Sequence, residues 1–135
     1  MLGVETASMA NAALWTVVCL LLQGLAQLLL HWITPYDDWK EISNGNTAAA
    51  IVVAAQAIAI ALILYHAVIG NETIVQAIIW GIVGILLTVG SYVLFELATP
   101  KINIGEKIRE GNAAVALVAA ALMLMTAIIV SGAIS

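Results

Sequence analysis

The sequence predicts an all-α membrane protein of four transmembrane helices, formed by tandem duplication of a two-helix hairpin. Two observations predict the spans, and a third predicts the duplication. Of 135 residues, 64% are hydrophobic and only 9% charged, with a mean hydropathy of +1.11. A soluble domain, about a quarter of it charged, could not solvate such a surface. Four apolar runs cover roughly 11–33, 46–69, 74–97 and 112–133. Each has the ~20 residues that a helix needs to cross a core of ~30 Å. Finally, Thr34-Pro35 opens a polar stretch that closes at Gly45-Asn46, and Thr99-Pro100 opens another that closes at Gly111-Asn112. An alanine-rich run follows each, and a Trp (Trp15, Trp80) occupies the same place in the apolar segment before each.

The spans read as helices. A transmembrane strand alternates apolar and polar residues over ~10 positions. These runs do not alternate, and Ala and Leu, good helix formers, dominate them. The spans leave no room for a soluble catalytic domain, so residues 1–135 form a single transmembrane domain, with repeat one over about 11–69 and repeat two over about 75–135. The chain start lacks the basic region of a secretory signal. Cys19, the one cysteine, sits inside the first span and is read as a packing residue.

All four basic residues, Lys40, Lys101, Lys107 and Arg109, lie in the two Thr-Pro…Gly-Asn loops. The positive-inside rule places those loops in the cytoplasm and both termini outside. A two-span unit returns the chain to its starting side. The halves are therefore parallel repeats, related by an axis along the membrane normal.

Within each loop, Thr is expected at the N-cap and Pro at the first helical position of a short amphipathic helix. Thr34 and Asp37 have the spacing of a capping box. Trp39 with Ile42, and Ile104 with Ile108, would share the apolar face of these helices. Gly45 and Gly111 would end them, and Asn46 and Asn112 would cap the next spans. The functional alternative for the two Asn is a symmetric pair of amides facing an ion path or a cytosolic partner.

The stretch T-P-Y-D-D-W-K-E-I-S-N-G-N-T-A-A-A, with its echo T-P-K-I-N-I-G-E-K-I-R-E-G-N-A-A-V-A, resembles a prokaryotic inner-membrane family, domain of unknown function 350, across nearly the whole chain. The second loop is one residue longer, and Lys107 stands opposite Glu41. The resemblance implies a small inner-membrane protein of paired two-helix units without an established activity. Some relatives are encoded near membrane-stress proteins and peptide-ligase-like enzymes, which implies context rather than chemistry.

Polar residues inside the spans form the candidate site. Gln23, Gln27 and His31 sit four apart on the first span, so they make one stripe. Thr88, Tyr92 and Glu96 occupy the equivalent places on the third, and Gly81 and Gly84 extend that stripe. Polar side chains in lipid face the bundle interior. The bland account is glue between helices. The sharper one is a polar path with His31 and Glu96 at its cytoplasmic mouth, where they could pair. A third is that both side chains snorkel to the headgroups. Gln56 and His66 lack polar counterparts in the second repeat, Leu122 and Gly132 standing there, and are weaker candidates. Trp15, Trp32 and Trp80 fit aromatic belts. Alanine faces such as Ala50/Ala54 and Ala116/Ala120 permit close helix approach.

Three functions compete. An enzyme is the least supported, since no catalytic triad, metal cluster, phosphate loop or buried carboxylate pair is evident. An oligomeric channel or transporter-like protein would use the polar stripes. The alternative is a membrane scaffold or stress-sensor subunit that recruits cytosolic proteins through the two loops. The expected partners are the lipid bilayer, further copies of the chain and a cytosolic protein; no cofactor, metal or nucleic acid is expected.

Overall fold

In the computed structural model, residues 2–34 and 37–135 are described. The part of the first loop expectation that falls on Pro35 lies outside them. The chain runs α1 (Leu2–Ile33), α2 (Asp38–Ser43), α3 (Thr47–Ile69), α4 (Ile74–Ala98), α5 (Ile104–Arg109) and α6 (Ala113–Ile134). Four of these, α1, α3, α4 and α6, are long and apolar enough to cross a membrane. The described residues contain no strand. Large apolar side chains such as Leu20, Leu86, Leu97 and Ile128 are exposed around the bundle, which is the surface that lipid covers.

α1 begins nine residues earlier than the apolar run suggested (Leu2 against position 11). No proline interrupts that stretch, so nothing stops the helix from propagating. Its 32 residues span about 48 Å. That exceeds the hydrocarbon core, and the first turns therefore project beyond it.

The packing centres on α3 and α6, which run parallel. At one end Asn46, capping α3, reaches the residues just before α6. At the other, Gly70 lies so close to Ser135 that a Cβ there would stand 2.9 Å from the Ser135 Cα. Small residues make this approach possible: Ala48, Ala55 and Ala59 of α3, and Ala116, Ala119 and Ala127 of α6, are all buried. α4 packs against both central helices, and α1 packs against α3 and α4. Corresponding positions are not treated alike. Ala116, Ala120 and Ala127 are buried, whereas their counterparts Ala50, Ala54 and Ala61 are half-buried, exposed and exposed.

The loops correct one expectation. Thr34 and Thr99 do not cap the short helices. Each instead closes the preceding long helix, its hydroxyl donating to the carbonyl four residues back: Thr34 to Leu30 (2.7 Å) and Thr99 to Phe95 (2.9 Å). The caps are Asp37, which accepts from the Trp39 and Lys40 amides, and Asn103, which accepts from Glu106. Pro100 lies in a turn closed by the Ile102 amide on the Thr99 carbonyl (3.1 Å), so it serves the second position of a β-turn, where its fixed φ fits, rather than a helix start.

The ends of the short helices follow the glycine expectation. Gly45 and Gly111 both have φ +84°, which glycine adopts without strain. Gly45 N–H donates to Ile42 O and Asn46 N–H to Glu41 O; Gly111 and Asn112 make the same pair to Ile108 O and Lys107 O. These are two matching Schellman closures. Asn46 and Asn112 then cap α3 and α6 by accepting from Ala49 and Val115. The short helices themselves differ. α5 buries Ile104 and Ile108 as expected, but α2 leaves Trp39 70% exposed and buries Asp38 instead.

Candidate functional site

The α1 stripe descends toward the loop end of the bundle. Gln23 donates to the backbone carbonyl of Ala57 on α3 (3.1 Å) and is thereby spent on helix packing. Gln27 and His31 continue below it and border a cleft of about 240 Å³ between α1, α2 and α3. Asp38 enters the same cleft from the start of α2, Gln56 from the middle of α3, and Trp39 and Val53 complete the wall.

His31 therefore meets Asp38 and not Glu96, which corrects the pairing suggested by repeat symmetry. The His31 Nδ1 to Asp38 Oδ2 distance is 3.7 Å, beyond hydrogen-bond length. The Asp38 side chain is only 7% exposed. Burial pushes its carboxyl above its ordinary value; His31 opposes that push, and neighbouring Asp37 adds to it. Gln27 Oε1, His31 Nδ1 and Asp38 Oδ1 are all buried without a protein hydrogen-bond partner.

The second stripe arrives from the other side. Thr88 and Tyr92 share a small cavity with Gln56, Leu30 and Met123. Gln56, 5% exposed, thus borders both the α1 and the α4 polar groups. Thr88 donates to the Gly84 carbonyl of its own helix (2.9 Å). Glu96 lies within electrostatic reach of Tyr92, as does Asp38. Gly81 and Gly84 sit against α3, facing Leu64 and Ile63, and serve close packing. His66 is engaged within its own helix: its Nδ1 lies 2.9 Å from the Leu62 carbonyl oxygen, and its ring stands edge-on to Tyr65.

The two matching loop Asn residues are not a symmetric pair. Asn46 Nδ2 donates to Ile108 O (2.8 Å), Arg109 O (3.2 Å) and Glu41 Oε2 (3.0 Å), so it ties the first loop to the second. Asn112 is exposed, and its side chain caps Val115. A cleft of similar volume between α4, α5 and α6, lined by Phe95, Ile102, Ile104, Val115 and Val118, is apolar and offers no chemistry to a polar solute.

One site residue, Asp38, escapes the sequence reading, and another, Gln56, ranks there only as a weaker candidate. Asp38 is not singled out there, although it follows His31 by only seven residues. Gln56 lacks a polar repeat counterpart, yet a lone Gln at the middle of an Ala/Ile/Val helix is itself a signal, because polar groups in lipid are costly.

Residues 3–134 match the family model described as Domain of Unknown Function (DUF350). The chain is also 32% identical over 99 residues, 73% of its own length and 72% of the relative's, to the UPF0719 transmembrane protein YshE of Bacillus subtilis (strain 168). No solved structure matches. The chain thus belongs to the DUF350 family of transmembrane proteins.

Proposed function

We propose that this protein is a channel- or transporter-like membrane protein that moves a small ion or polar solute and works as an assembly of identical chains. One observation carries the reading. Gln56 borders polar groups of α1 and α2 on one side and of α4 on the other, which makes a line from Asp38 to Thr88 through an otherwise apolar bundle. Four slim helices enclose little volume, so a path of useful width needs several chains. The exposed alanines Ala54 and Ala61 offer a smooth face for such association. We read the matching Thr, Gly and Asn closures as the mark of a tandem duplication over about 11–69 and 75–135.

Purified protein in liposomes should pass a small ion down an imposed gradient. Gln56→Leu, which installs the residue found at the matching position 122, should reduce flux to background, and His31→Ala and Glu96→Gln should alter it. No wild-type flux under any gradient would replace this reading with the scaffold, in which the loops recruit a cytosolic protein. Mass measurement in nanodiscs should find multiples of the 14.1 kDa chain; monomer alone would count against assembly.

The loops are proposed to face the cytoplasm, from the confinement of Lys and Arg to them. In a Cys19→Ser background, an impermeant thiol reagent outside intact cells should label Glu72→Cys and spare Lys101→Cys. The reverse pattern would invert the orientation.

A further inference from the structure

We propose that the cleft between α1, α2 and α3 is a binding site for a small monovalent cation, held by the Asp38 carboxylate and the amide oxygen of Gln27. The inference deepens the transport reading by naming a ligand class and a place, and rests on that reading only for its purpose. Among the described residues, four buried side-chain polar atoms lack a protein hydrogen-bond partner, and three of them, Gln27 Oε1, His31 Nδ1 and Asp38 Oδ1, belong to residues bordering this one cleft. The fourth, Ser131 Oγ, lies near the far end of α6. A buried acceptor without a donor is costly, and three around one space point to a shared positive partner.

The chemistry of the three atoms selects that partner. Gln27 Oε1 and Asp38 Oδ1 accept and cannot donate, since an ionised carboxylate and an amide oxygen carry no hydrogen. His31 Nδ1 presents a lone pair in the tautomer protonated at Nε2. At 3.7 Å from Asp38 Oδ2 it is too far to donate to the carboxylate and leaves both groups open to an intervening cation. Hard oxygen ligands suit alkali-type ions rather than soft metals. A single carboxylate balances a single positive charge. The described residues contain no group of three His, Cys, Asp or Glu side chains able to hold a metal ion, which argues against a divalent or transition metal. The cleft's volume of about 240 Å³ accommodates a cation with part of its water shell, a water's share of liquid volume being ~30 Å³.

The second repeat explains why the site is single. Aligned on their matching caps, Asp37 and Asn103, the first half has Asp38, Trp39 and Gln56 where the second has Ile104, Gly105 and Leu122. Asn103 is spent capping α5, and no carboxylate replaces Asp38.

The test is thermal unfolding of the full-length protein in nanodiscs, in NaCl, KCl or NH4Cl against N-methylglucamine chloride at equal ionic strength. At least one small cation should raise the midpoint by roughly 3 °C or more over the bulky cation. Asp38→Asn should abolish the shift, and Gln27→Leu should reduce it. Equal midpoints in small and bulky cations, or a shift that survives Asp38→Asn, would overturn the proposal. Should Asp38→Asn not fold, the sodium NMR linewidth of wild-type and Gln27→Leu protein decides. Broadening that excess KCl or NH4Cl reverses and Gln27→Leu weakens supports the site, and its absence removes it. Cation-dependent stabilisation without liposome flux keeps the site and removes the transport reading. Flux without that stabilisation does the opposite.

Discussion

Asn46→Asp should be among the most damaging single-atom changes available to this protein, and Asn112→Asp among the mildest. The two residues occupy matching places after Gly45 and Gly111 and have nearly the same backbone, φ −74° and ψ 95° against φ −73° and ψ 94°. Both accept a hydrogen bond at a helix start, and a carboxylate does this at least as well as an amide. The difference lies on the nitrogen side. Asn46 Nδ2 donates to two carbonyls at the end of α5 and to Glu41. Aspartate there would turn an oxygen toward all three acceptors. Two N–H groups shared among three acceptors would be lost and replaced by repulsion, although the Ile108 carbonyl keeps its bond from the Gly111 N–H. At ~1 kcal/mol for a neutral hydrogen bond and ~1.5–3 kcal/mol for the one to the Glu41 carboxylate, with carboxylate repulsion added, the expected loss is about 3–5 kcal/mol. Asn46→Ala should cost about 2–4 kcal/mol, from both cap and tie. Asn112→Ala should cost about 1 kcal/mol, from the cap alone. Denaturant melts in detergent would measure all four. Equal losses at 46 and 112 would show that the link between the loops contributes nothing.

Much of this fold can be read from the chain, and the reasons are physical. A run of ~20 apolar residues has few alternatives to a spanning helix, because lipid offers no partner for an open backbone. Gly-Asn after a short amphipathic stretch carries its own geometry: a left-handed residue followed by a side-chain cap. Both readings hold in both halves. Thr-Pro was less determinate, because a Thr hydroxyl can cap the helix that follows or close on the helix before it. Thr34 and Thr99 do the second, while Asp37 and Asn103 take the first role.

The site was half visible. Spacing by fours aligns Gln23, Gln27 and His31 on one helix, but says nothing about which neighbour they face. That choice depends on how α1 sits against α3, and it spends Gln23 on a backbone carbonyl while directing Gln27 and His31 to Asp38. Pairing His31 with Glu96 assumed that the halves pack alike. They do not, because α4 fills the groove between α3 and α6 while α1 lies over α3 and α4.

That groove supplies the second large effect. Gly84→Ala should destabilise the bundle by about 1–3 kcal/mol, the usual range for overpacking, while Gly90→Ala on the same helix should be neutral or stabilising. A Cβ at position 84 would stand 2.6 Å from Ile63 Cγ2 and 3.1 Å from Ile134 Cδ1. Ile63 is fully buried, and its Cγ2 is attached directly to the branched Cβ, so it cannot swing aside without a change of χ1 that the helix resists. The cheaper response is for α4 to move away from α3, which loosens the contacts of Ile85 and Thr88 as well. At Gly90 nothing lies within 4 Å of the added methyl, and only the helix preference of alanine acts, up to ~1 kcal/mol in favour. The double variant Gly84→Ala with Ile63→Ala separates steric crowding from any other role of the glycine. Ile63→Ala alone leaves a cavity and should cost about 2–5 kcal/mol. The methyl at 84 would partly refill that space, so the pair should be less destabilised than the sum of the singles by ~1 kcal/mol or more. Melting the four proteins of this cycle under one condition measures the coupling, and strictly additive losses would mean that close approach of α4 to Ile63 is not what position 84 requires.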